Sequence, residues 1–515
     1  MKLAAIDIGS NSVHMVVAET TGRETFEVID REKAMVKLGA GAFRDHRLTP
    51  RAFDAGLDVL RRYRKLADRL GADEILAVAT EAIRDTENGG EFLSRVGQET
   101  GIEPRVISGR EEARLIYLAV RNALDFGSDK ILEIDIGGGS VELIVGDTRH
   151  LLLSESVKLG VQRLRDLFGD QPLGKGRRKQ LEEHVRRVAG PAIKHARALG
   201  FSRVVGTSGT IRALGDAAHR LAGKQPWRSV NAEVAELKDL KRLADRLTGI
   251  SLSERGEIKG IDRERTDTIH LGSVLLIELL ELARAESITL CEASLREGVI
   301  LEFLGRKSDG TAVLAIPDVR PRATLQLARK YGMGGPRERH VAKLALQIFD
   351  QTVLHHELGS RERELLEYSA LLFSVGQYIG FRNYQAHSDY IISNSGIRGF
   401  NDEEVELISL VVLYHRKGEP SKKHPRVKAL DKPARRVLKV LSAILRVSVG
   451  LDRSNSQSVN NVRCEVKDEV LHLFVSGEDD LELAIWGGQR RSEPLGKALG
   501  LDVEVVRRAG ERDEE

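Results

Sequence analysis

Apolar residues dominate positions 3–8, and beyond a small-residue turn the chain alternates. Val13, Met15 and Val17 fall on one face, Ser12 and His14 on the other. Period-two alternation marks a strand, so this stretch predicts a strand–turn–strand hairpin. The same pattern returns further on. AIDIGSNSVHMVV (5–17) and EIDIGGGSVELIV (133–145) agree at seven of thirteen positions without a gap, with Asp7 and Asp135 128 positions apart. That period is too long for a stacked repeat unit. It predicts two related domains, each opening with the same device.

Other stretches follow the helical period. Phe53, Leu57, Leu60, Leu66 and Leu70 trace an apolar stripe that Gly71 stops. A strand-like run, Glu74 to Thr80, comes next. Ser108 with Glu111 forms a capping box that opens a helix through Leu124. Strands alternating with helices before residue ~300 predict an α/β architecture. Beyond Pro317 and Pro321 helical periodicities dominate from Arg322 to Leu451, which places a domain boundary at 306–321. Short strands at Val470–Val475, Leu481–Ile485 and Val503–Val506 predict a small α+β module. Residues 507–515 are charged and expected to fray.

Composition narrows the class. With 515 residues and 41% hydrophobic content there is ample material for several cores, which excludes wholesale disorder. The greasiest stretch, Ile269 to Ala285, is broken by Glu278 and Glu281, short of the ~20 apolar residues of a membrane span. Asp7 stands where a signal peptide needs an apolar core. Cys291 and Cys464 make no disulfide framework, so a cytoplasmic location is expected.

Net charge is only +3, so affinity for polyanions must come from local clustering. Arg416 to Lys439 carries ten Lys/Arg, among them Arg416, Lys417, Lys422, Lys423 and Arg426, against Glu419 and Asp431. No aromatic residue interleaves them, which suits phosphates better than bases, so no nucleic-acid partner is expected.

The duplicated turns carry the candidate chemistry. A P-loop needs Gly-Lys-Ser/Thr and a following helix, and a dinucleotide fold needs a glycine-rich turn opening a helix. Neither follows these turns. Gly9-Ser10-Asn11-Ser12 and Gly137-Gly138-Gly139-Ser140 instead leave backbone N–H groups open to an anion. Asp7 and Asp135 beside them offer hard oxygen ligands for Mg²⁺. A third small-residue turn, Thr207-Ser208-Gly209-Thr210, follows the apolar strand Arg203–Val205.

AIDIGSNSVHMVV, ISGREEARLIY, LEIDIGGGSVELIV, VGTSGTIRAL and ASLREGVILE, in this order, closely resemble the exopolyphosphatase / guanosine pentaphosphate phosphohydrolase family of the actin–hexokinase–sugar kinase superfamily. The resemblance implies an α/β fold of two actin-like (ribonuclease H-like) domains, 1–125 and 126–305, forming a cleft. It further implies a mostly helical His-Asp-phosphohydrolase-like domain at 320–455 and a small α+β module at 460–508. The implied activity is Mg²⁺-assisted release of orthophosphate from the end of inorganic polyphosphate, or of the terminal phosphate of guanosine pentaphosphate. The family's catalytic glutamate falls on Glu112, its arginine near the scissile phosphate on Arg84, and its metal or water-positioning carboxylates on Asp135 and Glu142.

Long family members often carry Leu-His-Glu-Val-Gly in the helical domain. This chain reads Leu372-Phe373-Ser374-Val375-Gly376, and neither Phe373 nor Ser374 is a metal ligand of that kind. The domain is therefore expected to be a non-catalytic scaffold, with His387 and His415 buried and hydrogen-bonded, and with the basic run as a polyphosphate track. Its helices also offer surface for a homodimer. The same superfamily fold serves small-molecule kinases and ATP-dependent switch proteins, but the SGREEARL segment favours hydrolysis.

Overall fold

The computed structural model describes residues 1–20, 25–307, 318–477 and 480–507. Two compact units divide the chain, Met1–Val319 and Arg320–Glu515.

In the first unit, β1 (Lys2–Ile8), β2 (Val13–Thr20), β3 (Phe26–Ala34), β4 (Glu74–Ala79) and β5 (Arg105–Val106) form a sheet in the order β3-β2-β1-β4-β5. A second sheet contains β6 (Ile131–Ile136), β7 (Val141–Gly146), β8 (Leu151–Val157), β9 (Arg203–Thr207), β10 (Val234–Glu236) and β11 (Ser287–Leu290), in the order β10-β11-β9-β6-β7-β8. The topology is duplicated as the repeat predicts. In each sheet an antiparallel meander, β1-β2-β3 or β6-β7-β8, is flanked by a parallel strand on its first member. Even the register repeats: Asp7 pairs with His14, and Asp135 with Glu142. Helices cover the faces, and the β6 and β7 side chains are buried throughout, which accounts for their nearly continuous apolar runs.

The predicted stripe at 53–70 is the helix Pro50–Arg69, capped by the Thr49 hydroxyl and followed by Gly71 at φ +71°. Ser108 caps the helix Gly109–Ala123 by accepting from the Glu111 N–H. Only that half of the expected capping box forms, because the Glu111 carboxylate is drawn away to Arg105. The segment 206–210 is not a free turn. β9 runs straight into the helix Ser208–Leu221, with Ser208 held at φ +77° at the junction.

The second unit is mostly helical as far as Leu451, with long helices at Pro336–Gln351, Ser360–Leu372, Asp402–Tyr414 and Lys432–Leu451. It ends in a sheet of β12 (Asn461–Lys467), β13 (Val470–Ser476) and β14 (Asp502–Arg507), in the order β12-β13-β14. The strand expected at Leu481–Ile485 is instead the helix Glu482–Gln489. Its buried face is Ala484, Gly487 and Gly488, and the two glycines let it approach Gly450 and Leu451 closely. A short apolar run has no period of its own, and that contact decides its form. Of the expected frayed terminus, Arg507 closes β14, and 508–515 lie outside the described residues. Among the described residues no helix is long and apolar enough to cross a membrane.

Candidate active site

The two duplicated turns close identically. Gly9 N–H donates to the Ser12 carbonyl at 3.1 Å, and Gly137 N–H to the Ser140 carbonyl at 3.0 Å. They also meet. A Cβ added to Gly138 would lie 2.9 Å from Ser10 Cβ and 3.0 Å from the Asn11 nitrogen. Gln162 ties the pair together, donating from Nε2 to Asn11 Oδ1 at 2.7 Å. Behind the second turn, the carbonyls of Gly137, Gly138 and Gly139 accept from the N–H groups of Val161, Gln162 and Gly160, at the start of the helix Val161–Phe168. The N–H groups of Ser10, Asn11, Gly138 and Gly139 have no backbone acceptor among the described residues. Small residues and open amides of this kind form an anion cradle.

A cleft of about 410 Å³ opens beside the two turns, lined by Asp7, Ser10, Asn11, Glu81, Glu112, Asp135 and Gly138 among others. Ser208, Gly209 and Thr210 line it too, with the positive end of their helix toward it. Thr207 is fully buried behind them, its hydroxyl donating to Asp135 Oδ2. All four members of this predicted segment therefore have a place at the site, three as lining and one as a support for Asp135.

Glu112 sits in the first turn of the helix Gly109–Ala123 and lines the cleft while only 9% exposed. Gly109 makes this possible by packing on Ser156, where a Cβ would come within 2.5 Å of the serine's own. Ser156 in turn donates to Glu142 Oε1 at 2.7 Å. Glu142 is fully buried, beneath the cleft rather than on its surface. Burial first, and then the negative charges of Glu142, Asp7 and Asp135, hold the Glu112 carboxyl well above its ordinary range. Burial and Asp135 likewise raise Glu142. Asp7 is pushed up to about 6 by burial, against the pull of Arg296.

Three buried carboxylate oxygens, Asp7 Oδ1, Glu112 Oε2 and Glu142 Oε2, have no hydrogen-bond partner. Such a cluster suits a hard divalent cation, which takes carboxylate oxygens. Among the described residues no group of three or more Asp, Glu, His or Cys side chains is arranged to hold a metal ion. Asp7 and Asp135 line the cleft and would be the residues to offer oxygens to Mg²⁺. His14, at the register position of Glu142, bonds Ser12 Oγ through Nε2 at 2.7 Å. Burial and the surrounding cations keep its pKa well below the ordinary value, so the ring is neutral.

Several residues of the site escaped the sequence reading. Arg212, Arg265 and Arg296 line one wall of the cleft, with Lys33 at its edge. Glu81, 2% exposed, accepts from Arg163 Nη2 at 2.9 Å, and Arg163 stacks on Phe43 at 4.2 Å. The signals available for this group were the arginines within VGTSGTIRAL and ASLREGVILE, Arg212 and Arg296. The predicted Arg84 does not line the cleft. Its guanidinium donates to the Ile107 carbonyl at 2.5 Å, from where its charge acts on Glu112.

In the second unit the expected track is only partly free. Lys422 and Lys423 are exposed, but Arg426 is spent on Asp389 at 2.8 Å and Glu406 at 2.7 Å. Arg416 lies over the Tyr384 ring at 4.6 Å, and Lys417 reaches Asn383 at 3.4 Å. His415 is buried as expected, bonded to Tyr384 Oη and the Val412 carbonyl. His387 is not: it is half-buried and its ring has no described hydrogen bond, because it falls on the outer side of the helix Tyr384–Ser393. Ser374 donates to Glu338 at 2.6 Å, a structural role.

Comparison with known proteins agrees with this geometry. A model of the Ppx/GppA phosphatase family matches residues 15–307, and one of that family's domain III matches residues 319–485. The guanosine-5'-triphosphate,3'-diphosphate pyrophosphatase of Aeromonas hydrophila is 32% identical over 478 residues, 91% of each chain, and that of Aeromonas salmonicida is similar to the same degree. Among solved structures, an exopolyphosphatase from Cytophaga hutchinsonii is 28% identical, with a TM-score of 0.57 over 61% of this chain and 99% of its own. A Ppx/GppA family member from Aquifex aeolicus follows at 28% identity and a TM-score of 0.51, over 60% of this chain and 98% of its own.

Proposed function

The chain belongs to the Ppx/GppA phosphatase family and is a phosphoanhydride hydrolase of the actin-like fold, and from that premise we propose that it removes terminal phosphates from inorganic polyphosphate. The observation that carries this reading is the meeting of two open-amide turns at a cleft that Glu112 also lines. The terminal phosphate lies in the cleft against Ser10-Asn11 and Gly138-Gly139, where amides meet its oxygens. Glu112 accepts a proton from a water as that water's oxygen attacks the terminal phosphorus. The bridging P–O bond breaks in line, and orthophosphate and a chain shorter by one unit leave. The carboxylates around Glu112 raise its proton affinity and make it a stronger base. Bound Mg²⁺ supplies charge neutralisation of the phosphate oxygens. Arg212, Arg265 and Arg296 hold the next phosphates of the chain, their fixed forks offering paired donors.

Polymer is favoured over nucleotide because no phenylalanine, tyrosine or tryptophan is among the described residues that line the cleft, whereas a base needs a stacking surface. The second reading, guanosine pentaphosphate, draws on the names of the Aeromonas relatives. Orthophosphate release from long polyphosphate and from guanosine pentaphosphate, side by side with and without Mg²⁺, tests both. A kcat/KM at least tenfold higher for the polymer supports the first reading. The reverse ratio replaces it with the second, and release from neither refutes the mechanism.

A further inference from the structure

One buried carboxylate, Asp267, reaches all three turns of the cleft through its neighbours. It lies in the loop ahead of the helix Ile269–Ala283 and is 6% exposed. Its Oδ2 takes two cations, Lys37 Nζ at 2.6 Å and Arg165 Nη1 at 3.0 Å, while Oδ1 has no hydrogen-bond partner. Asp267 is not among the residues that line the cleft, so it acts on a bound chain only through others.

Each neighbour leads to a different turn. Lys37 follows β3 in the first half of the duplication, and its own N–H donates to the Asn11 carbonyl of the first turn at 2.8 Å. It does so at φ +55°, the left-handed region that a lysine enters only at a cost. Arg165 stands on the helix Val161–Phe168, whose first two N–H groups donate to the Gly137 and Gly138 carbonyls of the second turn. The third turn is met by the loop itself. Arg265, two residues before Asp267, packs so closely on Gly209 that a Cβ added there would lie 2.6 Å from Arg265 Cζ. Lys33 also reaches this loop, at Glu264 (3.1 Å), but that pair is open to water, where an ion pair contributes little. The pairs of Asp267 are largely shielded, and a shielded carboxylate that loses its place leaves two cations uncompensated, so this geometry is firmly held.

From this placement we infer that Asp267 is a positioning residue for the reaction: by holding Lys37 and Arg165 to one oxygen it fixes the spacing of the three turns and the aim of Arg265. The inference rests on the cleft reading above, in which the turns and Arg265 grip the phosphate chain. A shift of about 1 Å in one turn misaligns water, phosphorus and leaving oxygen, and such shifts cost up to about 10²-fold in rate. A bare charge effect runs the other way. Removing a negative charge beside a polyanion site strengthens binding, so the two roles separate in kcat and KM.

Orthophosphate release from inorganic polyphosphate with Mg²⁺ tests it on full-length Asp267→Asn, Lys37→Met and the double variant, each well below its melting temperature. Asp267→Asn should lose at least tenfold in kcat with no fall in KM, and Lys37→Met at least fivefold. The double variant should fall no further than Asp267→Asn, because both changes remove one contact. A kcat within twofold of the natural chain's in either single variant overturns the proposal, and so do losses that multiply in the double variant. A merely structural role would lower the melting temperature and leave kcat in place. If Asp267→Asn does not fold, Lys37→Met decides by the same criterion, since its side chain is one-third exposed. Arg265→Gln keeps the two readings apart. A tenfold loss of kcat/KM there, beside an indifferent Asp267→Asn, sinks the positioning role and leaves the cleft standing. Indifference of both Arg265→Gln and Glu112→Gln sinks the cleft reading itself.

Discussion

Gly138 and Ser10 pack together where the two turns meet, so closely that a single methyl group on the glycine would lie 2.9 Å from the serine Cβ. The two halves of an internal duplication thus meet at their turns, and the gap between them is set by the absence of a side chain. Gly138→Ala must push the turns apart, at about 1–3 kcal/mol for an overpacked contact. Turnover should fall at least tenfold while the far-ultraviolet circular dichroism stays unchanged. Wild-type turnover would show that the turns do not hold the reacting phosphate.

Glu112→Gln keeps the shape of the side chain and removes the base. The expected loss in kcat is about 10²–10⁴-fold, the usual share of a general base. KM should move little, since amides and cations do the binding. Orthophosphate release at saturating polyphosphate measures it, and an undiminished kcat would remove Glu112 from the reaction.

The buried carboxyls make stability depend on pH. Asp7 rises from 3.8 to about 6 on folding, and Glu112 and Glu142 are also raised. The folded state therefore holds protons that the unfolded chain has lost. That contribution is complete below pH ~4 and disappears as pH rises through the folded values, at about 1.4 kcal/mol for each tenfold gain in proton affinity on folding. The Mg²⁺-free protein should lose thermal stability from pH 5 to pH 8, and Glu142→Gln should flatten the loss. Added Mg²⁺ should restore the midpoint at pH 8. Melting curves that ignore both pH and Mg²⁺ would contradict the cluster's role.

Arg163 is the one described hydrogen-bond partner of the buried Glu81 carboxylate. Removing it strands a charge in the interior, at a cost of about 3 kcal/mol. Arg163→Ala should lower the urea midpoint clearly more than Glu81→Gln does. Equal midpoints for the two variants would mean that Glu81 is already neutral and the pair adds little.

The wall of Arg212, Arg265 and Arg296 should make affinity for long polyphosphate depend on salt. KM should rise steeply between about 50 and 200 mM salt, as it does for phosphate contacts generally, and Arg296→Gln should raise KM and lessen that slope. A KM indifferent to ionic strength would place the chain elsewhere.

The duplicated hairpins, their turns and the helix start that carries Glu112 were legible in the amino-acid sequence because each is local. Period-two alternation, a run of small residues and a helix start are written in consecutive residues, and the repeat made two weak signals one strong signal. Glu81, Arg163, Arg212, Arg265 and Arg296 were not legible as a group. They come from five separate segments, and only packing brings Glu81, Arg212, Arg265 and Arg296 to one cleft, with Arg163 joined to it through Glu81. The same holds for what the sequence overstated. Arg426 reads as a free cation in a basic run, but Asp389 and Glu406, from other helices, neutralise it. The run at 481–485 is strand-like by composition, and the fit of Gly487 against Gly450 makes it a helix. Local periodicity determines which elements form, whereas charge pairing and close approach act between residues far apart in the chain and are decided only when those elements pack.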